Sequence, residues 1–226
     1  MNDYSTAQIE TAGGASISVQ GEGDLGSGRP FIVLYERGAV DALLAKNLFE
    51  SLSVRSRTLL VSTSSVSGEN WRGLSRDLLS FMEERSIRQA GFVTLGATCA
   101  VVFAVALSEL KLVRSLVTIS PTTRPHPTRF EKFVGSLERS LPLGLPLRSS
   151  IQDFDAKPYL QRIRCPVLVV SRAGDSAYLQ SEAKILSEEL PTAWAVPLPE
   201  GDVHATLTSS ILSFQDVPAK CPQKNR

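Results

Sequence analysis

Histidine is scarce in this sequence: two residues in 226, His126 and His204. They lie far apart with no Cys or His at ligand spacing, which argues against a metal centre. The three cysteines, Cys99, Cys165 and Cys221, show no paired spacing. An odd count without a framework excludes a disulfide scaffold and fits a reducing compartment, so a cytoplasmic location is expected. Long apolar runs are missing. Cys99 to Leu107 is the longest, far too short to span a bilayer. The opening Met-Asn-Asp-Tyr-Ser-Thr-Ala-Gln lacks the apolar centre of a signal peptide. Charge of one sign is not in excess: 24 Lys and Arg against 23 Asp and Glu leave +1, so nothing points to nucleic acid or an anionic membrane as a partner. Gly21 to Gly28 is rich in glycine but has no helix after it, so it reads as a connector and not as a phosphate cradle. No cofactor is expected.

What is present is an ordinary globular composition, 42% hydrophobic and 21% charged, long enough for one substantial core with a small lid. Residues 8 to 20 read as an edge hairpin around Gly13-Gly14. Apolar strands follow at Phe31 to Tyr35, Thr58 to Val61, Phe92 to Leu95, Leu116 to Ile119, Val167 to Val170 and Ala193 to Val196. Helical spacing separates them, as in Val40, Leu43, Leu44, Leu48 and Leu52, or Trp71, Leu74, Leu78, Phe81 and Met82. Alternation with short links predicts one α/β domain over 1–226: three α/β/α layers around a mostly parallel sheet, with Phe92 to Leu95 between its middle strands. The alternation breaks after Ser120. Six prolines, at 121, 125, 127, 142, 146 and 158, flank one amphipathic helix, Phe130 to Leu141. A short helical lid over 122–158 is expected, with His126 solvated inside it.

The chain is organised around residues 91 to 103. A buried strand ends in Gly96-Ala97-Thr98-Cys99-Ala100 and continues as an almost wholly apolar helix. Strand, tight small-residue turn and buried helix is the layout of a nucleophile elbow, Gly-x-Ser-x-Gly. Here it reads Gly96-x-Thr98-x-Ala100. The small flanking residues are needed because strand end and helix start pack at very short range. The nucleophile of such an elbow sits at positive φ, which a β-branched threonine tolerates badly. Cys99 is a second candidate, but its register would put Val101 where a small residue is required; a buried small hydrophobe is the plainer reading.

The second half adds two groups at the same edge of the sheet. The strand Pro166-Val-Leu-Val-Val170 is followed by Ser-Arg-Ala-Gly-Asp175, and Ala193-Trp-Ala-Val196 by Pro-Leu-Pro-Glu-Gly-Asp-Val-His204. A carboxylate past one strand and a histidine past the next meet at the carboxyl edge, where ligand sites of such sheets gather. The order elbow, Asp, His is that of the α/β-hydrolase triad. Over roughly residues 8 to 215 the sequence resembles the α/β-hydrolase fold superfamily. Leu160 to Asp175 is similar to its run into the acid, and Leu190 to His204, with Phe214, to its approach to the histidine. The resemblance implies Asp175 as triad acid, His204 as base within hydrogen-bond reach of it, and 122–158 as a short cap.

Three departures decide the functional expectation. The family's His-Gly after the first parallel strand is replaced by Tyr35-Glu36-Arg37-Gly38, which puts a negative charge beside the oxyanion site. Arg37 is a candidate for binding a substrate carboxylate, though a surface arginine paired with Glu36 is the plainer reading. The Asp-x-Arg-Gly-x-Gly loop is replaced by Ser62-Thr-Ser-Ser-Val-Ser-Gly68, and the serine is absent. Losing one oxyanion donor costs about two to three powers of ten in rate. The expectation is therefore a hydrolase-like protein with a degenerate elbow, binding a small acyl-type or apolar ligand under the lid, or a protein partner. Two alternatives stay open: an ester hydrolase using Thr98, His204 and Asp175, and a proton-transfer enzyme using His204 and Asp175 without a nucleophile.

Overall fold

The computed structural model describes residues 7–10, 16–23, 30–39, 41–67, 70–125, 154–199 and 203–215. Eight strands form one sheet: β1 Ala7–Glu10, β2 Ser16–Gly23, β3 Phe31–Glu36, β4 Thr58–Thr63, β5 Ala90–Leu95, β6 Val113–Ile119, β7 Val167–Arg172 and β8 Ala193–Leu198. Their order is β1-β2-β4-β3-β5-β6-β7-β8. The pairs β1/β2 and β2/β4 are antiparallel, and every pair from β4 to β8 is parallel. β5 thus lies between β3 and β6 in the interior of the sheet, as its near-continuous apolar character suggested.

Parallel strands need crossovers, and helices supply four of them: α1 Ala42–Ser53, α2 Trp71–Glu84, α3 Thr98–Ser108 and α4 Ala177–Glu189; α5 Val203–Gln215 follows the last strand. Burial sorts them into two layers. Leu74, Leu78, Phe81 and Met82 of α2 share one core with Val101, Val102 and Phe103 of α3 and Leu186 of α4. Leu48, Phe49 and Leu52 of α1 share the other with Leu207, Ile211 and Phe214 of α5. Successive residues of β3 alternate between the two, Ile32 and Leu34 into the first, Phe31, Val33 and Tyr35 into the second. This is why the strand reads as a continuous apolar run. Trp71 packs on Phe154 at 4.6 Å and Trp194 against Phe214 at 5.5 Å, so both are packing residues.

One boundary differs from the expected hairpin over 8 to 20, and the last helix is expected from about Ala205. β2 extends to Gly23, so the start of the glycine-rich stretch is strand. A side chain at Gly23 would collide with the Cβ of Ser53, so the glycine allows β2 to pass close to α1. The last helix begins at Val203, which places His204 in its first turn. Residues 126–153, including His126 and the expected lid helix, lie outside the described residues.

β8 closes the sheet. Val167 N–H donates to Thr192 O and Ala173 N–H to Leu198 O. In a parallel ladder this turns the backbone groups of Trp194, Val196 and Leu198 toward β7 and those of Ala193, Ala195 and Pro197 outward. Proline has no N–H to present there.

Candidate functional site

The strand order reverses between β3 and β5, since β4 lies on one side of β3 and β5 on the other. The carboxyl ends of these strands form the crevice where α/β sheets bind ligands. The β5-to-α3 turn sits in it. Gly96 takes φ +61 and is the turn's one left-handed residue; Ala97 follows at φ −71, ψ −13, and α3 begins at Thr98. Gly96 N–H donates to Ile119 O at 3.0 Å. A Cβ built on Gly96 meets nothing within 4 Å.

Thr98 is placed differently from expectation. It is fully buried and absent from the residues with positive φ. Its Oγ1 accepts from Leu95 N–H at 3.1 Å and can donate to Leu34 O at 3.1 Å or Leu95 O at 2.9 Å. Gly91 N–H donates to Pro30 O, and the register Leu34 to Thr94 makes Leu95 N–H to Leu34 O a later rung of the same ladder. The Thr98 hydroxyl is inserted into that rung. This secondary alcohol is sealed from solvent and joins β3 to β5 through backbone groups.

Cys99 is equally buried, and its Sγ donates to Thr122 O at 2.7 Å. Burial pushes this thiol far above its ordinary range; the Thr122 carbonyl acts the other way and the Glu182 carboxylate adds to the rise. Cys165 is pushed up to about 12, again by burial. Burial disfavours the thiolate of both, the form a nucleophilic cysteine needs. Because both pKa values are raised on folding, the stability they contribute is fully present below the unfolded thiol's value, about 8.5, and is lost as pH rises toward the folded values. We expect the urea midpoint to fall between pH 8.5 and 10.5, and Cys99 to escape iodoacetamide at pH 8 by peptide mapping. A midpoint that holds or rises over that range would contradict this.

Asp175 lies past β7 at the carboxyl edge, its side chain 3% exposed. Ser120 Oγ is 2.7 and 2.8 Å from its two oxygens. Arg172 donates to it twice, through the backbone N–H at 2.8 Å and Nε at 3.3 Å, and Arg172 Nε also reaches Ser120 Oγ at 2.8 Å. Ser120 follows Ile119, the acceptor of Gly96 N–H, and holds φ +48, a strained value for a non-glycine residue that its bonds to Asp175 and Arg172 help maintain. The far end of Arg172 pairs with Asp41, Nη1 to Oδ1 at 2.6 Å and Nη2 to Oδ2 at 3.3 Å. For Arg172 itself, burial acts to lower the guanidinium's pKa, but the bond and charge of Asp41 and then Asp175 outweigh it and hold it above its ordinary value.

His204 is not brought to Asp175. Its Nε2 lies 3.1 Å from Ser51 Oγ of α1, and among the described residues no His204–Asp175 bond is formed. The physical reason is local: Arg172, three residues before the acid, supplies the positive partner that an imidazole would have been. Glu36 stays at the end of β3 and accepts from Val66 N–H at 2.8 Å, tying the chain past β4 to the end of β3. Arg37 reaches Ser18 Oγ of β2 at 3.2 Å, away from the elbow. No group of three or more metal-ligating side chains occurs among the described residues, and no described helix is long and apolar enough to cross a membrane. Gly96, Ser120, Arg172 and Asp41 carry the geometry; of these only Gly96 was singled out from sequence, as a small flanking residue and not as the left-handed one. The signal for Gly96 was there: Thr94-x-Gly96-x-Thr98 fits the same spacing two residues earlier, with a glycine where φ must be positive.

Comparison with known proteins agrees with this architecture. No family model and no curated protein sequence matches the chain. Solved structures do. A hydrolase from Pseudomonas aeruginosa PA01 superposes with a TM-score of 0.70 at 17% identity, over 95% of this chain and 100% of that one. The enol-lactonase from Burkholderia xenovorans LB400 gives 0.67 at 16%, over 90% and 97%. An alpha/beta hydrolase from Sphaerobacter thermophilus gives 0.65 at 14%, over 92% and 100%. At these identities the likeness is one of fold, and the fold is that of the α/β-hydrolases.

Proposed function

We propose that this α/β-hydrolase-fold chain binds a small acyl-type ligand at the carboxyl edge of its sheet and does not cleave it. The observation that carries the reading is the elbow. Its left-handed residue, the position from which such a turn presents its nucleophile, is Gly96, which has no side chain. Two further features support it. The acid Asp175 is partnered by Arg172, a cation that does not deprotonate in a protein, where general base catalysis needs a group titrating near the working pH. Glu36 lies on the side where developing negative charge would have to be stabilised. In this reading the segment 122–158 covers the ligand.

The test is hydrolysis of p-nitrophenyl butyrate together with labelling by a fluorophosphonate. The unmodified protein is expected to match the buffer rate and take no label, and Thr98→Ser to behave the same. Gly96→Ser places a hydroxyl in open space and is expected to accept label slowly without sustained turnover, since Asp175 is paired with Arg172 and not with a histidine among the described residues. Turnover by the unmodified protein that disappears in His204→Ala would overturn the proposal in favour of a hydrolase.

A further inference from the structure

Asp41 is the N-cap residue of α1, yet its side chain makes no capping bond. Aspartate is among the preferred residues at this position because its carboxylate accepts from the N–H groups of the first helical turn. Here the carboxylate is turned to Arg172 instead. Asp41 therefore has two places to put its charge: the guanidinium, or the positive end of its own helix. The two carboxylates on Arg172 are also unequal. Asp175 is 3% exposed and fixed by Ser120 and the Arg172 backbone; the Asp41 side chain is 23% exposed and, among the described residues, bonds only to Nη1 and Nη2. Those two nitrogens form the planar fork that takes a carboxylate bidentately. Through Nε, Arg172 bonds Ser120, the neighbour of the Ile119 carbonyl that accepts from Gly96 N–H, and its fork runs from the end of β7 to the start of α1 at the carboxyl edge.

We infer that the fork of Arg172 is the docking point for the carboxylate of a ligand, with Asp41 as a displaceable counter-ion that moves to cap α1 when the ligand arrives. This rests on the ligand-binding reading above and narrows the ligand to a small monocarboxylic acid. Asp175 stays in place throughout, so the guanidinium remains held at Nε while its outer edge changes partner.

In the unliganded protein Asp41 occupies the fork most of the time, which lowers the apparent affinity by the fraction of time the fork is open. Asp41→Asn removes the competing charge and keeps a residue that caps well. Titration of the full chain with sodium butyrate, followed by backbone and arginine Nε–H NMR shifts at constant ionic strength, reads this directly. The expected result is weak binding in the unmodified protein, tightening by about tenfold in Asp41→Asn if the fork is open about a tenth of the time. Shifts should centre on Arg172, Leu43 and Leu44. Arg172→Lys keeps the charge and loses the fork, and should bind at least tenfold more weakly than the unmodified protein. Butyramide, with the same carbon chain and no charge, should not bind. Equal affinity in Asp41→Asn and the unmodified protein, or equal binding of butyramide, would overturn the inference. Ester turnover would instead overturn the non-hydrolytic reading, whichever way butyrate behaves.

Discussion

Thr98→Val is expected to lower stability by about 3 kcal/mol while leaving the response to acyl esters unchanged. The substitution keeps shape and β-branching and deletes only the hydroxyl. That hydroxyl is the partner of Leu95 N–H and stands between it and the carbonyls of Leu34 and Leu95, in a position with no access to water. Each buried polar group left without a partner costs about 1–3 kcal/mol, and part of that is recovered if β3 and β5 close the gap into a direct rung. For a chain of this size about 3 kcal/mol corresponds to a fall of roughly 6–12 °C in Tm. Thr98→Ser keeps the hydroxyl and should cost under about 1.5 kcal/mol, the price of a buried methyl group. Thermal unfolding of the three proteins checks this. If valine is tolerated as well as serine, the hydroxyl is not a strand junction.

Arg172→Ala should be comparably severe, at about 3 kcal/mol. Replacing a buried ion pair by apolar groups can be neutral, but removing one partner alone strands the other, at about 3–5 kcal/mol. Here the stranded group is the Asp175 carboxylate, almost without solvent contact; the outer half of Arg172 is partly solvated, which places the effect toward the lower bound. Ser120 loses a donor as well, while its backbone is held at positive φ. Arg172→Lys, which keeps a charge near Asp175, should recover part of the loss. Urea unfolding at neutral pH decides it: an alanine variant within about 1 kcal/mol of the unmodified protein would show that the cluster contributes no net stability.

The fold was legible because sheet burial leaves a direct mark. Phe31 to Tyr35 and Val167 to Val170 are apolar on both faces, and Phe92 to Leu95 is so but for Thr94; only a strand covered by helices on both sides uses such runs. Two-residue resolution at the elbow was not legible from residue types alone. Gly96-x-Thr98-x-Ala100 satisfies the size rule of the motif as Thr94-x-Gly96-x-Thr98 satisfies its spacing, but what defines the elbow is a backbone angle, and residue types alone do not choose between the two registers. Asp175 was placed correctly at the carboxyl edge. Its partner was not, because sequence order says that a histidine follows the next strand without saying which way it faces. The first turn of α5 directs His204 to Ser51, and the nearby Arg172 takes the acid. Asp41 gave no signal at all: a helix-capping aspartate and one diverted to an arginine look the same in sequence.

Pro197 has a consequence for how this chain behaves among its own copies. A sheet grows from an open edge when an incoming strand finds a regular row of donors and acceptors. On the outer side of β8 the donors run Ala193, Ala195 and then stop, because the third outward position is proline. An added strand would be held at one end and left with an unanswered carbonyl at the other. The same residue leaves the inner ladder intact, since the groups facing β7 belong to Trp194, Val196 and Leu198. One imino acid, placed on the alternate that points away, therefore ends the sheet at eight strands and denies crowded chains a template for joining edge to edge.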